Sequence, residues 1–200
     1  MCHYQFVETI KIFKKKIYNL NYHQLRLLDT FQRFYPGYQP HDLLKIFSNI
    51  KIPSNKLLKA RFLYNQSDFK LEISPYKHKI IKCLKIVYAD YINYEYKFLD
   101  RQIFTKLLNN LTYCNEILIV KKGYITDTSF SNIVFFDGKD WFTPTTYLLP
   151  GTFRQFLLDS GKIKETKITI NDLKKYSYFK LINSLLSWDL QPLPIQKILL

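Results

Sequence analysis

The feature that most constrains this chain is a change of hydrophobic period within its first 34 residues. Residues 4–13 set Phe6, Thr9, Ile10 and Ile12 among polar neighbours, a near-alternation that predicts a strand. The lysines at 14–16 suit a turn, and Ile17 to Leu20 a returning strand. From Tyr22 to Phe34 the apolar positions become Leu25, Leu28, Phe31 and Phe34, one in three, which predicts a helix ended by Pro36-Gly37. A chain that changes period this way must lay helix on sheet, because each element has one face to bury.

The same reading continues to the C-terminus. A short helix is expected over 41–50, before Pro53, and apolar, β-branched segments follow at 57–64, 68–74 and 79–88. Pro75 restricts Ser74 to extended geometry, so the best linker lies at 75–77, between a domain at 1–74 and another at 78–200. Beyond it we expect a helix at 100–111, a strand at 116–120, a turn at Gly123 and a strand at 131–136 closed by Asp137-Gly138. A helix opened by Gly151 should run through Leu158 and stop at Gly161, with closing strands at 162–170 and 178–186. The rhythm is not a strict βαβ repeat, so the expected class is α+β.

Charge brings in composition. The chain carries 30 basic and 16 acidic residues, a net charge of +14. Twenty-five of the cations are lysines spread along the whole length and five are arginines, and neither a basic aromatic stripe nor a helix-turn-helix signal accompanies them. A small anionic substrate suits this pattern better than nucleic acid. Cys2, Cys83 and Cys114 are an odd set without paired spacing, which suggests free thiols in a reducing compartment. No metal site is expected from the four histidines, and neither a signal peptide nor a membrane span is apparent. A cytoplasmic location follows as an expectation.

Three segments of the second half carry chemistry: Tyr94-Glu95-Tyr96-Lys97-Phe98-Leu99-Asp100-Arg101, Gly123 to Ile133 with Asp127 and Asn132 inside it, and Leu148-Leu149-Pro150-Gly151-Thr152-Phe153-Arg154. Phe6-Val7-Glu8-Thr9-Ile10 and His23-Gln24-Leu25-Arg26-Leu27 precede them, and Leu181-Ile182-Asn183-Ser184 follows. In order and separation these motifs resemble the class IV aminotransferases, the pyridoxal-phosphate (PLP) enzymes of fold type IV, over nearly the whole chain. Each motif is weak alone; their joint order is specific. The resemblance implies a D-amino-acid-aminotransferase-like fold of two small α/β domains with the cofactor between them, and family members are usually homodimers.

It also implies roles. Lys97 would hold PLP as a Schiff base and shuttle the substrate's proton. Its aromatic flanks suggest partial burial. Asp127 occupies the place where the family has Glu, opposite the pyridine nitrogen, and is shorter by one methylene. Arg26, the amides of Gly151, Thr152 and Phe153 at a helix N-terminus, and Asn183 and Ser184 would take the phosphate, the last two alternatively a substrate carboxylate. Arg61 and Arg101 are open candidates for substrate carboxylates, while Asn132 and Ser131 are expected to fix the turn behind Asp127.

The stretch Gly151-Thr152-Phe153-Arg154-Gln155-Phe156 is closer to lyase members than to the usual Gly-Ile-Thr-Arg of the aminotransferases. The expected activity is therefore that of 4-amino-4-deoxychorismate lyase, giving 4-aminobenzoate and pyruvate for folate synthesis. The alternatives are a transaminase for a branched-chain or D-amino acid, and a PLP- or nucleic-acid-binding protein without catalysis.

Overall fold

The computed structural model describes residues 5–109 and 111–200. Cys2 and His3 lie outside the described residues, as does Asn110 of the helix expected at 100–111. Two compact units emerge, one of Met1–His78 with Tyr96–Asp100, the other of Lys79–Glu95 with Arg101–Leu200.

In the first unit, β1 (Phe6–Phe13), β2 (Lys16–Ile17), β3 (Leu58–Tyr64) and β4 (Phe69–Pro75) form an antiparallel sheet in the order β2-β1-β3-β4. Lys14 and Lys15 make the β1–β2 turn with φ of 48° and 59°, the left-handed geometry that matches the strands' twist in a two-residue hairpin. The returning strand expected at 17–20 is only two residues long, because α1 (Leu20–Phe34) starts at its end. A second helix, α2 (Leu43–Ser48), is capped by Asp42, whose side chain accepts from the Lys45 N–H at 2.9 Å. One sheet face and both helices share a core built on Phe6, Ile10, Ile12, Leu27, Phe31, Leu43, Phe47 and Phe62.

The face that α1 buries is not the one-in-three stripe. Leu25 and Leu28 are exposed, and the buried side chains are His23, Arg26, Leu27, Thr30 and Phe31. A period of three drifts around a helix of 3.6 residues per turn, whereas the buried set follows i, i+3, i+4, i+7, i+8.

The second unit holds two sheets. β5 (Leu84–Tyr88), β6 (Glu116–Lys121) and β7 (Tyr124–Thr128) align with β13 (Ile198–Leu199) in the order β13-β5-β6-β7. The other sheet runs β10-β9-β8-β11-β12, from β8 (Asn132–Phe136), β9 (Trp141–Pro144), β10 (Lys164–Thr166), β11 (Tyr178–Ile182) and β12 (Leu193–Pro194). Helices α3 (Gln102–Leu108) and α4 (Thr152–Asp159) complete it. The strand expected over 162–170 shrinks to β10, and a 3-10 helix with a capping box at Thr169 and Asp172 follows. Among the described residues no helix is long and apolar enough to cross a membrane.

One sequence expectation is overturned here. Cys83 and Cys114 form a disulfide, with Cα atoms 4.8 Å apart, rather than two free thiols. Their 31-residue separation hides the pairing in the sequence; parallel pairing of β5 with β6 brings Leu84 beside Glu116 and the two cysteines with them.

Candidate active site

The first unit buries a charge inside its core face. Pleating along β1 puts Glu8 between Phe6 and Ile10, fully out of solvent. A carboxylate so placed needs partners, and the buried face of α1 provides two. Arg26 Nε donates to Glu8 Oε1 at 2.9 Å and Nη2 to Oε2 at 2.5 Å, while His23 Nδ1 lies 2.6 Å from Oε2. Burial alone would raise the Glu8 pKa, but the Arg26 charge and the hydrogen bonds from His23 and Arg26 hold it down at about 2. Burial lowers the pKa of His23, Glu8 opposes this, and the charges of Arg26 and Lys97 add to the lowering. Lys97 therefore lies in the electrostatic reach of this cluster.

Backbone pairing explains why. The Val7 N–H donates to the Lys97 carbonyl at 3.1 Å, Leu99 N–H to Gln5 at 2.8 Å, and Phe98 bridges Phe6. Lys97 is half-buried, and the rings of Tyr96 and Phe98 pack against Phe34 at 4.8 and 5.7 Å.

The second unit buries Asp127 on β7. Its Oδ2 accepts from the backbone N–H groups of Leu148 and Leu149 at 2.9 and 3.0 Å, and its Oδ1 from Asn132 Nδ2 at 2.8 Å. Burial raises the pKa; the Leu149 amide, Asn132, the Leu148 amide and the Arg154 charge pull it back, and it settles at about 6. Asn132 Nδ2 also reaches the Leu149 carbonyl at 2.9 Å. The segment leading into α4 is thus pinned to β7 and β8. At its end a Cβ on Gly151 would stand 1.8 Å from Asn132 Oδ1, so any other residue there must displace the Asn132 side chain.

The family pattern described as amino-transferase class IV matches residues 100–193. A Haemophilus influenzae protein of uncharacterised function is 36% identical over 185 residues, 91% of this chain and 98% of its own. A crystal structure from Haemophilus somnus, provisionally named a 4-amino-4-deoxychorismate lyase, is 35% identical with a TM-score of 0.85, covering 92% of this chain and 98% of that one. A Mycobacterium tuberculosis aminotransferase of hypothetical function, in its PLP-bound form, shares the fold at 14% identity with a TM-score of 0.78, covering 97% and 81%. The chain belongs to the class IV aminotransferases. It is an enzyme of a PLP family with the mixed α/β fold of fold type IV.

The residues present fit that cofactor on two counts. An ionised carboxylate offers about four acceptor positions, and Asp127 has three neutral donors. A fourth donor bearing positive charge, such as a protonated pyridine nitrogen, would complete it and lower its pKa. Then α4 begins at Gly151, which places no side-chain cap on the first-turn amides, and such amides bind phosphate groups. Thr152 and Phe153 are both buried; the Phe153 ring stacks on Phe156 at 6.0 Å, so its backbone rather than its side chain can serve a ligand.

Other candidates turn out to be engaged with the protein. Arg61 pairs with Glu72 across β3 and β4 at 2.8 Å. Arg101 donates to the Ser129 carbonyl and lies over the Phe104 ring at 5.1 Å. Arg154 pairs with Glu165 and stacks over Tyr147 at 4.3 Å. Asn183 Oδ1 accepts from Leu185 and Leu186 N–H at 2.9 and 3.1 Å, shaping the turn that carries Ser184. Ser131 Oγ meets Thr128 Oγ1 at 2.8 Å, as expected of a turn-fixing residue. Sequence reasoning passed over Glu8 and His23 as chemical groups, although a Glu at an inward position of an alternating strand is a signal for a buried ion pair.

Proposed function

We propose that this chain is a PLP-dependent 4-amino-4-deoxychorismate lyase that releases 4-aminobenzoate and pyruvate. The observation that carries the reading is the buried Asp127 carboxylate, surrounded by neutral donors and raised to about 6, a group suited to one more cationic partner. Preference for the lyase over a transaminase rests on the run Gly151 to Phe156 and on the provisional name of the relative at 35% identity.

Bound PLP would withdraw electrons from the substrate carbon that bears the amine. Lys97 Nζ would hold the cofactor covalently until substrate binds, and would then take the proton from the amine-bearing ring carbon. Loss of that proton would let the carbon–oxygen bond to the enolpyruvyl group break and the ring become aromatic, and the enolate released would take up a proton to give pyruvate. Asp127 would keep the pyridine nitrogen protonated. Arg26, the first-turn amides of α4 at Gly151, Thr152 and Phe153, and Asn183 and Ser184 would bind the phosphate. An excess of positive charge favours a substrate with two carboxylates.

The match to the aminotransferase family pattern supports a second reading, transamination of a branched-chain or D-amino acid. Assay of 4-aminobenzoate release by PLP-loaded protein, beside a Lys97→Ala variant, separates the two. Release by the wild type alone supports the lyase. Absence of release, with amino-acid-dependent loss of cofactor absorbance, supports the transaminase. Homodimerisation and a cytoplasmic location belong to the same proposal.

A further inference from the structure

Glu116 is a second buried carboxylate of the second unit, fully out of solvent at the first position of β6. Its Oε1 accepts from the N–H groups of Ile117 at 2.9 Å and Ser129 at 3.0 Å, and its Oε2 accepts from Lys79 Nζ at 2.9 Å. Ser129 lies within the turn 128–131, which joins β7 to β8 and has Asp127 at one foot and Asn132 at the other. Arg101 donates to the carbonyl of the same Ser129, and Lys79 Nζ lies 5.5 Å from the neighbouring Phe130 ring. Ser129 is thus gripped at its N–H by a carboxylate and at its carbonyl by a guanidinium, both charge-assisted bonds stronger than neutral ones.

Inside the turn, Thr128 and Ser131 bond to each other. Thr128 N–H donates to the Ser131 carbonyl at 2.9 Å, and Thr128 Oγ1 accepts from Ser131 N–H at 3.1 Å. They set the turn's shape but not its position on the sheet. Strand pairing of Thr128 with Leu118 and of Asn132 with Ile182 holds the two feet, and Glu116 and Arg101 fix the peptide between them. The separation of the turn's two feet decides whether the Asn132 amide meets Asp127 Oδ1, and a binding group performs only when held within about 0.5 Å of its productive place.

We propose that Glu116, assisted by Arg101, is a positioning residue that sets the Asp127–Asn132 pair for the cofactor's pyridine nitrogen. The inference rests on the reading that Asp127 serves PLP. Glu116 itself touches no cofactor; it acts through the Ser129 peptide.

The test is the PLP dissociation constant of folded apoprotein, titrated by absorbance, for wild type, Glu116→Ala, Glu116→Gln and Arg101→Met. Circular dichroism and thermal melting of each apoprotein serve as the folding control. Glu116→Ala should weaken PLP by about tenfold or more, the scale seen when a partner that orients a ligand-binding group is lost. Glu116→Gln keeps an acceptor for both N–H groups and should stay within about threefold of wild type. That rescue is what a role confined to stability would not produce. Equal affinity of wild type and folded Glu116→Ala, or a Gln variant as weak as the Ala variant, overturns the proposal. Should Glu116→Ala fail to fold, Arg101→Met decides: several-fold weaker binding supports positioning and unchanged binding refutes it. A wild type that takes up no PLP refutes instead the reading of Asp127 on which the inference stands.

Discussion

Glu8 and Asp127 are both buried carboxylates on strands, each held by hydrogen bonds, yet their pKa values move in opposite directions, to about 2 and about 6. The difference lies in who the donors are. Glu8 faces a full guanidinium charge from Arg26 and a histidine. Asp127 faces two peptide N–H groups and an amide, with Arg154 only a lesser influence. Neutral donors satisfy geometry without repaying the removal of a charge from water. A carboxylate that is satisfied in geometry and unsatisfied in charge marks where a cationic ligand group belongs, whereas Glu8 already has its cation in Arg26 and holds that side chain in place. The comparison teaches that burial alone does not distinguish structure from function; the charge balance around the buried group does.

The hardest way to break this contrast is to take the cation from Glu8. Arg26→Leu leaves a buried carboxylate without its main counter-charge and should destabilise the apoprotein by about 3–5 kcal/mol, measured by urea unfolding at neutral pH. A loss under about 1 kcal/mol would mean that the pair is not buried as described. The second unit has a different anchor. Reduction of the Cys83–Cys114 bridge should cost it roughly 4 kcal/mol by the chain-entropy relation for a loop of this length, read as a fall in the melting temperature on adding a thiol reductant.

The two carboxylates should also oppose each other in acid. Glu8, lowered from 4.5 to about 2, contributes stability that is complete above pH 4.5 and lost as pH falls through 2. Asp127, raised from 3.8 to about 6, does the reverse. Between those values the unfolded chain gives up the proton first, so stability falls as pH rises, by about 3 kcal/mol in all. Comparing wild type with Asp127→Asn from pH 4 to pH 7 isolates this contribution; a difference that does not change with pH would contradict it. The smallest effect is steric. Gly151→Ala sets a methyl group against the Asn132 amide, should cost about 1–3 kcal/mol, and should weaken PLP binding by dislodging the Asn132–Asp127 bond; unaltered melting and affinity would show that the segment relaxes freely.

Much of this was legible in the residues. The period change gave β1 and α1, and the motifs gave Lys97, Asp127 and Gly151 as positions of interest. What was hidden is non-local. Only a turn at Gly123 is expected between strands at 116–120 and 131–136, although Tyr124, Ile125, Thr126 and Thr128 are strand formers, and it is pairing with β6 that makes Tyr124–Thr128 a strand. The buried side of α1 was misread because His23 and Arg26 are polar and are drawn inward by Glu8, 15 and 18 residues earlier. The Cys83–Cys114 bond and the Glu116–Ser129 contact likewise depend on strand neighbours that no local pattern announces.

The central claim is that Asp127 awaits a cation, and equilibrium binding of PLP to wild type and Asp127→Asn between pH 5 and pH 8 tests it most directly. The account predicts that wild type binds PLP and that its affinity declines as pH falls through about 6, where Asp127 takes up a proton. Asp127→Asn should bind at least about tenfold more weakly, without that decline. Equal affinity of the two proteins at every pH would contradict the account.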